Sequence, residues 1–152
     1  SAVLKNQEGK MVDYALMTGP CGRDCFNCPV YLSKNNEKIK SFLSKRYSVP
    51  PEAISCEGCR NIEGRCLLLK SLGYSEQCKI YKCAKNKNAT FCHECNDFPC
   101  DLLHPVADRA SELPHNLKVY NLCLIKKMGI ANWAATKANE SFEKYFKKKL
   151  DL

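Results

Sequence analysis

No stretch of this chain approaches the roughly 20 consecutive apolar residues that cross a bilayer, and its start carries no apolar, leader-like run. Glycine-rich phosphate loops and the strand-to-helix elbow of a nucleophilic serine are also missing. No repeat of fixed period is visible, and nothing supplies the strands of an α/β barrel. Histidine is scarce, with three residues in 152. Between Cys56 and Cys100 there is no long amphipathic segment, so that stretch buries little apolar surface on its own. These absences set aside membrane insertion, P-loop nucleotide chemistry, α/β-hydrolase chemistry and barrel-based radical chemistry. They leave a small chain whose middle needs something other than an apolar core.

Cysteine is what the chain has in excess: twelve residues, about 8% of the total. Eleven lie between positions 21 and 100: Cys21, Cys25, Cys28, Cys56, Cys59, Cys66, Cys78, Cys83, Cys92, Cys95 and Cys100. Such a content belongs to a secreted disulfide framework or to a metal protein. Spacing favours metal. Cys25/Cys28, Cys56/Cys59 and Cys92/Cys95 have the Cys-x2-Cys form, which turns both sulfurs toward one centre. A disulfide gains most by closing a long loop, and these loops are short. The expected compartment is the reducing cytoplasm.

All eleven are therefore candidate ligands, most simply of zinc, which takes four sulfur or nitrogen donors tetrahedrally. Two such sites use eight cysteines and three need twelve, so two or three ions are expected. His93, His104 or a shared thiolate would complete the larger count. By proximity, Cys56, Cys59, Cys66 and Cys78 make one set, and Cys83, Cys92, Cys95 and Cys100 a second. The triplet Cys21, Cys25 and Cys28 opens a third. An iron–sulfur cluster is the alternative, since Pro29 follows the triplet as in bacterial ferredoxins, although their Cys-x2-Cys-x2-Cys run is absent. The triplet's Cys-x3-Cys-x2-Cys spacing is also used by radical enzymes, but Asn27 stands where those have an aromatic. "CHEC" and "FPC" resemble fragments of zinc deaminases; yet His93 and Glu94 are adjacent, and Cys100 has no cysteine three residues on. Abundant thiolates point to closed, structural sites, and no catalytic residue is assigned. Asp24, Asp97 and Asp101 among the ligands read as turn caps, and His93 as an exposed knuckle residue. Cys123, between Leu122 and Leu124, reads as a small core residue of a helix.

The predicted architecture is one small metal-stabilised domain over 1–152, mainly α with irregular zinc knuckles and little strand. Residues 21–100 form its cysteine-rich metal-binding part and 101–152 its helical tail. "VDYALMTGP" pairs as a short strand or covers the first knuckle. The run after Pro29 to Tyr47 reads as helix, with Ile39, Phe42, Leu43 and Tyr47 on one face and Pro50 and Pro51 stopping it. "LLLKSLGY" reads as a short helix closed by Gly73, and "KNKN" as a loop. "HPVADRASEL" reads as a helix between Pro105 and Pro114, with His115 solvated behind it. A C-terminal helical hairpin follows, hinged at Gly129. Its first helix carries a stripe of Leu117, Tyr120, Leu124 and Met128. Its second starts at the N-cap candidate Asn132, turns Ala138, Phe142, Tyr145 and Phe146 inward, and spaces Glu140/Lys144 and Glu143/Lys147 for surface pairs.

The formal charge of +8 counts every cysteine as neutral. Zinc(II) held by four thiolates carries −2, so two sites bring +8 to +4 and three bring it to +2. Lys126, Lys127 and Lys147 to Lys149 offer a basic surface for nucleic acid, but lysines in last helical turns complement the helix dipole.

In order, "CGRDCFNCPVY", "CEGC", "CKIYKCA", "CHECNDFPC" and "NLCLIKKMGIANW" resemble a widespread prokaryotic family of unknown function that is described as cysteine-rich and zinc-binding. Members of that family often carry Cys-x2-Cys-x4-Cys before the Ala; Ser75 stands at the first position here, which leaves Cys66 to supply the thiolate. The resemblance implies metal binding at the matching cysteines and implies no reaction. Three functions follow as expectations: a zinc-stabilised binding or adaptor module with an unknown macromolecular partner, a redox or metal-handling protein, and, least favoured, a nucleic-acid binder.

Overall fold

A computed structural model of the chain describes residues 2–103 and 117–147. The fold is mainly α, as expected, with helices at the C-terminal end. Strands β1 (Val3–Lys5) and β2 (Met11–Asp13) pair antiparallel, Leu4 opposite Val12. Their turn is held by Asn6, whose side-chain oxygen accepts from the Glu8 and Lys10 amides. The following residues Tyr14, Met17 and Thr18 are buried over the first knuckle. Both expectations for this segment, a strand and a cover, hold.

The helix expected from Pro29 to Tyr47 is interrupted. Helix α1 (Pro29–Leu32) runs into a 3-10 turn, and α2 (Glu37–Tyr47) starts afresh at Asn36. Asn36 takes an extended conformation, and its side chain accepts from the Ile39 amide, a capping geometry incompatible with a continuous helix. Of the expected apolar face, Ile39 and Leu43 turn inward, whereas Phe42 and Tyr47 are exposed. Helix α3 (Leu67–Ser71) is short, as predicted. Helix α4 (Lys79–Asn86) was not anticipated; it packs through Ile80 and Ala84.

Beyond Gly129 the expected second helix is two. Helix α5 (Leu117–Met128) ends before Gly129, which at φ 81° also caps α6 (Ile130–Thr136), so Asn132 lies inside a helix. The chain bends at Lys137 into α7 (Ala138–Lys147), where Phe142 is buried and meets the Phe146 ring at a tilt, 4.5 Å between centroids. The pairs Glu140/Lys144 and Glu143/Lys147 form as spaced, each at 2.8 Å. Helix α5 is rotated from its expected face: Leu117, Asn121, Leu122 and Ile125 are buried, while Tyr120 and Cys123 are exposed. Cys123 is thus not a core residue. The reason is long-range: Asn121 Nδ2 donates to the Gly22 carbonyl at 3.1 Å, which fixes the helix's rotation. The predicted helix over 104–113, His104, His115, Lys148 and Lys149 lie outside the described residues.

Two apolar clusters result. The larger joins Leu122, Ile125, Trp133 and Ala138 to Cys21, Phe91 and Leu103, so the tail and the cysteine-rich part share a core. The smaller holds Leu43, Ile54 and Leu68. Gly22 makes the joint possible: at φ 85°, a Cβ there would stand 2.8 Å from the Lys118 carbonyl and 2.9 Å from Leu122 Cγ.

Candidate metal centre

Cysteines take up positions at the starts of helices and turns. Cys28, Cys66 and Cys78 are the N-cap residues of α1, α3 and α4, and Cys92 opens a 3-10 turn. The first amides of a helix have no partner within it, and a sulfur placed there can accept from them. None of these three N-cap sulfurs makes a capping hydrogen bond. All twelve cysteines are free thiols.

The chain gathers them in three groups. In the first, the Cys59 amide donates to Cys25 Sγ at 3.4 Å, and the two thiols hydrogen-bond each other. Gly19 lies between Cys59 and Cys21, where its hypothetical Cβ would be 3.7 Å from both sulfurs. Cys78 neighbours Cys21, and its amide donates to the Gly64 carbonyl at 2.8 Å. Gly64 faces a close approach of its own: a Cβ there would meet Tyr81 Cβ at 2.7 Å.

The second group pairs Cys56 with Cys66, thiol to thiol, with Cys28 beside them. Arg23 Nη2 donates to Cys28 Sγ at 3.7 Å while its guanidinium lies 5.5 Å from the Phe146 ring centroid. The third group, Cys83, Cys92, Cys95 and Cys100, lines one cavity of about 330 Å³ together with Ile80, Phe98 and Leu103. There Lys87 Nζ donates to Cys95 Sγ at 3.6 Å and to Asp97.

Proximity along the chain therefore anticipates only the third group. The other two interleave, because Cys25 and Cys59 meet across the fold and Cys66 goes to Cys56 rather than to Cys78. Arg60 is a residue that sequence reading missed. Its Nε donates to the Ala15 and Thr18 carbonyls, its Nη2 to Thr90 at 2.6 Å, and its guanidinium lies over Phe91. It thereby ties the turn at Cys56 and Cys59 to the cover segment and to Thr90 and Phe91, just ahead of Cys92. His93 is not an exposed knuckle residue: its ring stacks on Phe91, 5.7 Å between centroids, with Nε2 buried and unpartnered among the described residues.

Electrostatically, the pairs polarise. A hydrogen bond from Cys59 holds the Cys25 thiol down at about 7, and one from Cys56 holds Cys66 down at about 6. Their donors Cys59 and Cys56 are pushed up for the same reason, with burial adding to it. Burial also raises Cys21, and raises Cys92 to about 12. Buried Asp24 is pushed up to about 6 by desolvation, against the hydrogen bond it accepts from Asn27.

Among the described residues, no group of three or more His, Cys, Asp or Glu side chains is set around a common point at metal-binding distances. The donor chemistry nevertheless fits a thiophilic ion. Two sulfurs bound to one tetrahedral zinc, each about 2.3 Å from it, stand about 3.8 Å apart. Cys25/Cys59 and Cys56/Cys66 are the thiol pairs on which such a site would be built. An ion would have to draw in the remaining sulfurs.

The chain is mainly helical and cysteine-rich, with eleven thiols between positions 21 and 100. A family profile matches residues 17–105, more than half of the chain, and the chain belongs to that family, described as protein of unknown function (DUF3795). No curated protein and no solved structure matches it. Among the described residues, no helix is long and apolar enough to cross a membrane.

Proposed function

We propose that the chain is a zinc-stabilised binding module of the cytoplasm, in which zinc is structural and a surface engages a macromolecular partner. One observation carries this reading: eleven free thiols gather in three groups between helices too short to hold themselves. Reduced thiols in this number call for a reducing compartment. For the partner, α3 and the residues after it offer exposed Leu67, Leu69, Leu72 and Tyr74. The nucleic-acid reading is weaker, since Lys144 and Lys147 pair with glutamates of their own helix.

Elemental analysis and native mass spectrometry of protein purified without added metal, under reducing conditions, test the proposal. At least two zinc ions per chain are expected. A folded protein of metal-free mass would refute it, and iron with acid-labile sulfide would replace zinc by a cluster. The polarised pairs Cys25/Cys59 and Cys56/Cys66 favour a second reading, a thiol redox protein, which reversible disulfide formation in a metal-free, folded chain would support.

A further inference from the structure

Helix α2 packs Ile39 and Leu43 with Ile54 and Leu68, and it leaves an aromatic ring outside: Phe42 is 62% exposed. On a helix surface, the neighbours of a side chain stand three and four positions away. For Phe42 these are Ile39, turned inward, and Lys38, Lys45 and Arg46, all exposed. Three cations therefore surround the ring. The one acid of the helix, Glu37, stands five positions before Phe42 and outside that circle. Among the described residues, no ion pair or side-chain hydrogen bond engages Lys38, Lys45 or Arg46, and no cation or second ring covers Phe42. The lysines of α7 differ, since Lys144 and Lys147 are held by Glu140 and Glu143. The helix dipole accounts for Lys45 and Arg46, which lie in the last turn. It does not account for Lys38, a cation in the first turn near the positive end, nor for a bare ring between charges.

A partner suited to this face is anionic and presents a flat apolar surface. An anionic bilayer fits poorly, because an interfacial helix buries a broad apolar face and that of α2 is already in the core. An acidic peptide matches the cations but brings no flat ring with its carboxylates. A single strand of nucleic acid supplies both, phosphates for the cations and an unstacked base for the ring. We propose that Phe42, Lys38, Lys45 and Arg46 on the outer face of α2 bind single-stranded nucleic acid, one base stacking on Phe42 and the phosphates pairing with the three cations, without reading sequence. This names a partner for the binding module proposed above and rests on that part of the reading, not on its zinc.

The test uses the full chain as purified, kept reduced, with a fluorescein-labelled oligothymidine of about 12 nucleotides followed by anisotropy. Log affinity should fall linearly with log salt. Replacing Lys38, Lys45 and Arg46 together by Gln should make that slope shallower by about 2, at about 0.7 per charge. Phe42→Ala and Phe42→Leu should each weaken binding about tenfold, while Phe42→Tyr keeps its ring and its affinity. These side chains are exposed, so native Trp133 emission should persist in every variant and separates lost binding from lost fold. Equal affinity of Phe42→Ala and wild type would overturn the proposal. So would equal losses in Lys38→Gln/Lys45→Gln and Lys144→Gln/Lys147→Gln, since net charge alone would then attract the strand. Tighter binding to duplex, to phosphatidylserine-containing vesicles or to polyglutamate would assign α2 to another occupant. No binding by a chain that holds its zinc would overturn this face and leave the zinc reading intact. Binding by a folded, metal-free chain would support this face while the zinc reading fails.

Discussion

Around the fully buried Trp133, Leu122, Ile125 and Ala138 of the tail pack with Cys21, Phe91 and Leu103 reaching in from the cysteine-rich part. Around Ile54, Leu43 and Leu68 are the only other buried members of the second cluster among the described residues. The tail thus has aromatic and aliphatic bulk at helical spacing, whereas residues 56–100 have short helices, turns and sulfur. Their cores are nevertheless not separate. Gly22 lies under α5, Asn121 donates to its carbonyl, and Phe26 meets Trp133 edge to face at 5.9 Å. A domain of this size holds a net stability of about 5–15 kcal/mol. Structural zinc binding is worth about 10–16 kcal/mol, so the poorer region would depend on metal and the richer one would depend on the poorer for part of its core.

The largest effect expected from breaking this dependence is chelation. Titrating the reduced protein with a strong zinc chelator should unfold the cysteine-rich part and also expose Trp133, because its cluster loses Cys21, Phe91 and Leu103. Circular dichroism should retain part of the helix signal while Trp133 emission moves to the red. If metal leaves and both signals stay native, the ions are peripheral and a metal-handling role gains.

The joint itself can be strained without touching a sulfur. Gly22→Ala would drive a Cβ into the Lys118 carbonyl at 2.8 Å in a backbone conformation that disfavours side chains. Left-handed strain and overpacking together amount to about 2–5 kcal/mol. Urea unfolding of the metal-loaded protein should show that loss at unchanged metal content. A variant as stable as the wild type would mean that α5 does not rest on the first knuckle.

Much of this was legible in the residues themselves. Cys-x2-Cys spacing marked the thiol-rich part, Gly129 marked the bend of the tail, and the glutamate–lysine pairs of α7 stand where their spacing put them. The phase of α5 was not legible, because Val119, Tyr120, Leu122, Cys123, Leu124 and Ile125 make it apolar nearly all round. The face is chosen by the polar Asn121, whose partner lies 99 positions away. The interleaved thiols and Arg60 escape for the same reason. Periodicity reports neighbours one or two turns apart, and these contacts join loops that only the finished fold brings together.

The smallest expected effect tests that choice of face. Cys123 is exposed on α5, in the tail, whereas the eleven cysteines of the knuckles are buried or half-buried. If α5 instead presented Cys123 to the core, replacing its sulfur would cost packing, and an alkylating reagent would reach it late. With Leu122 and Ile125 inward, Cys123→Ser should change stability by no more than about 0.5 kcal/mol, as for other surface substitutions. Metal content should not change. In the native, metal-loaded protein, iodoacetamide should modify Cys123 first, one label per chain by mass spectrometry, and the Cys123→Ser variant should take up none on that timescale. Slow labelling, or loss of an ion on substitution, would turn α5 back toward the core and bring the tail into the metal sites.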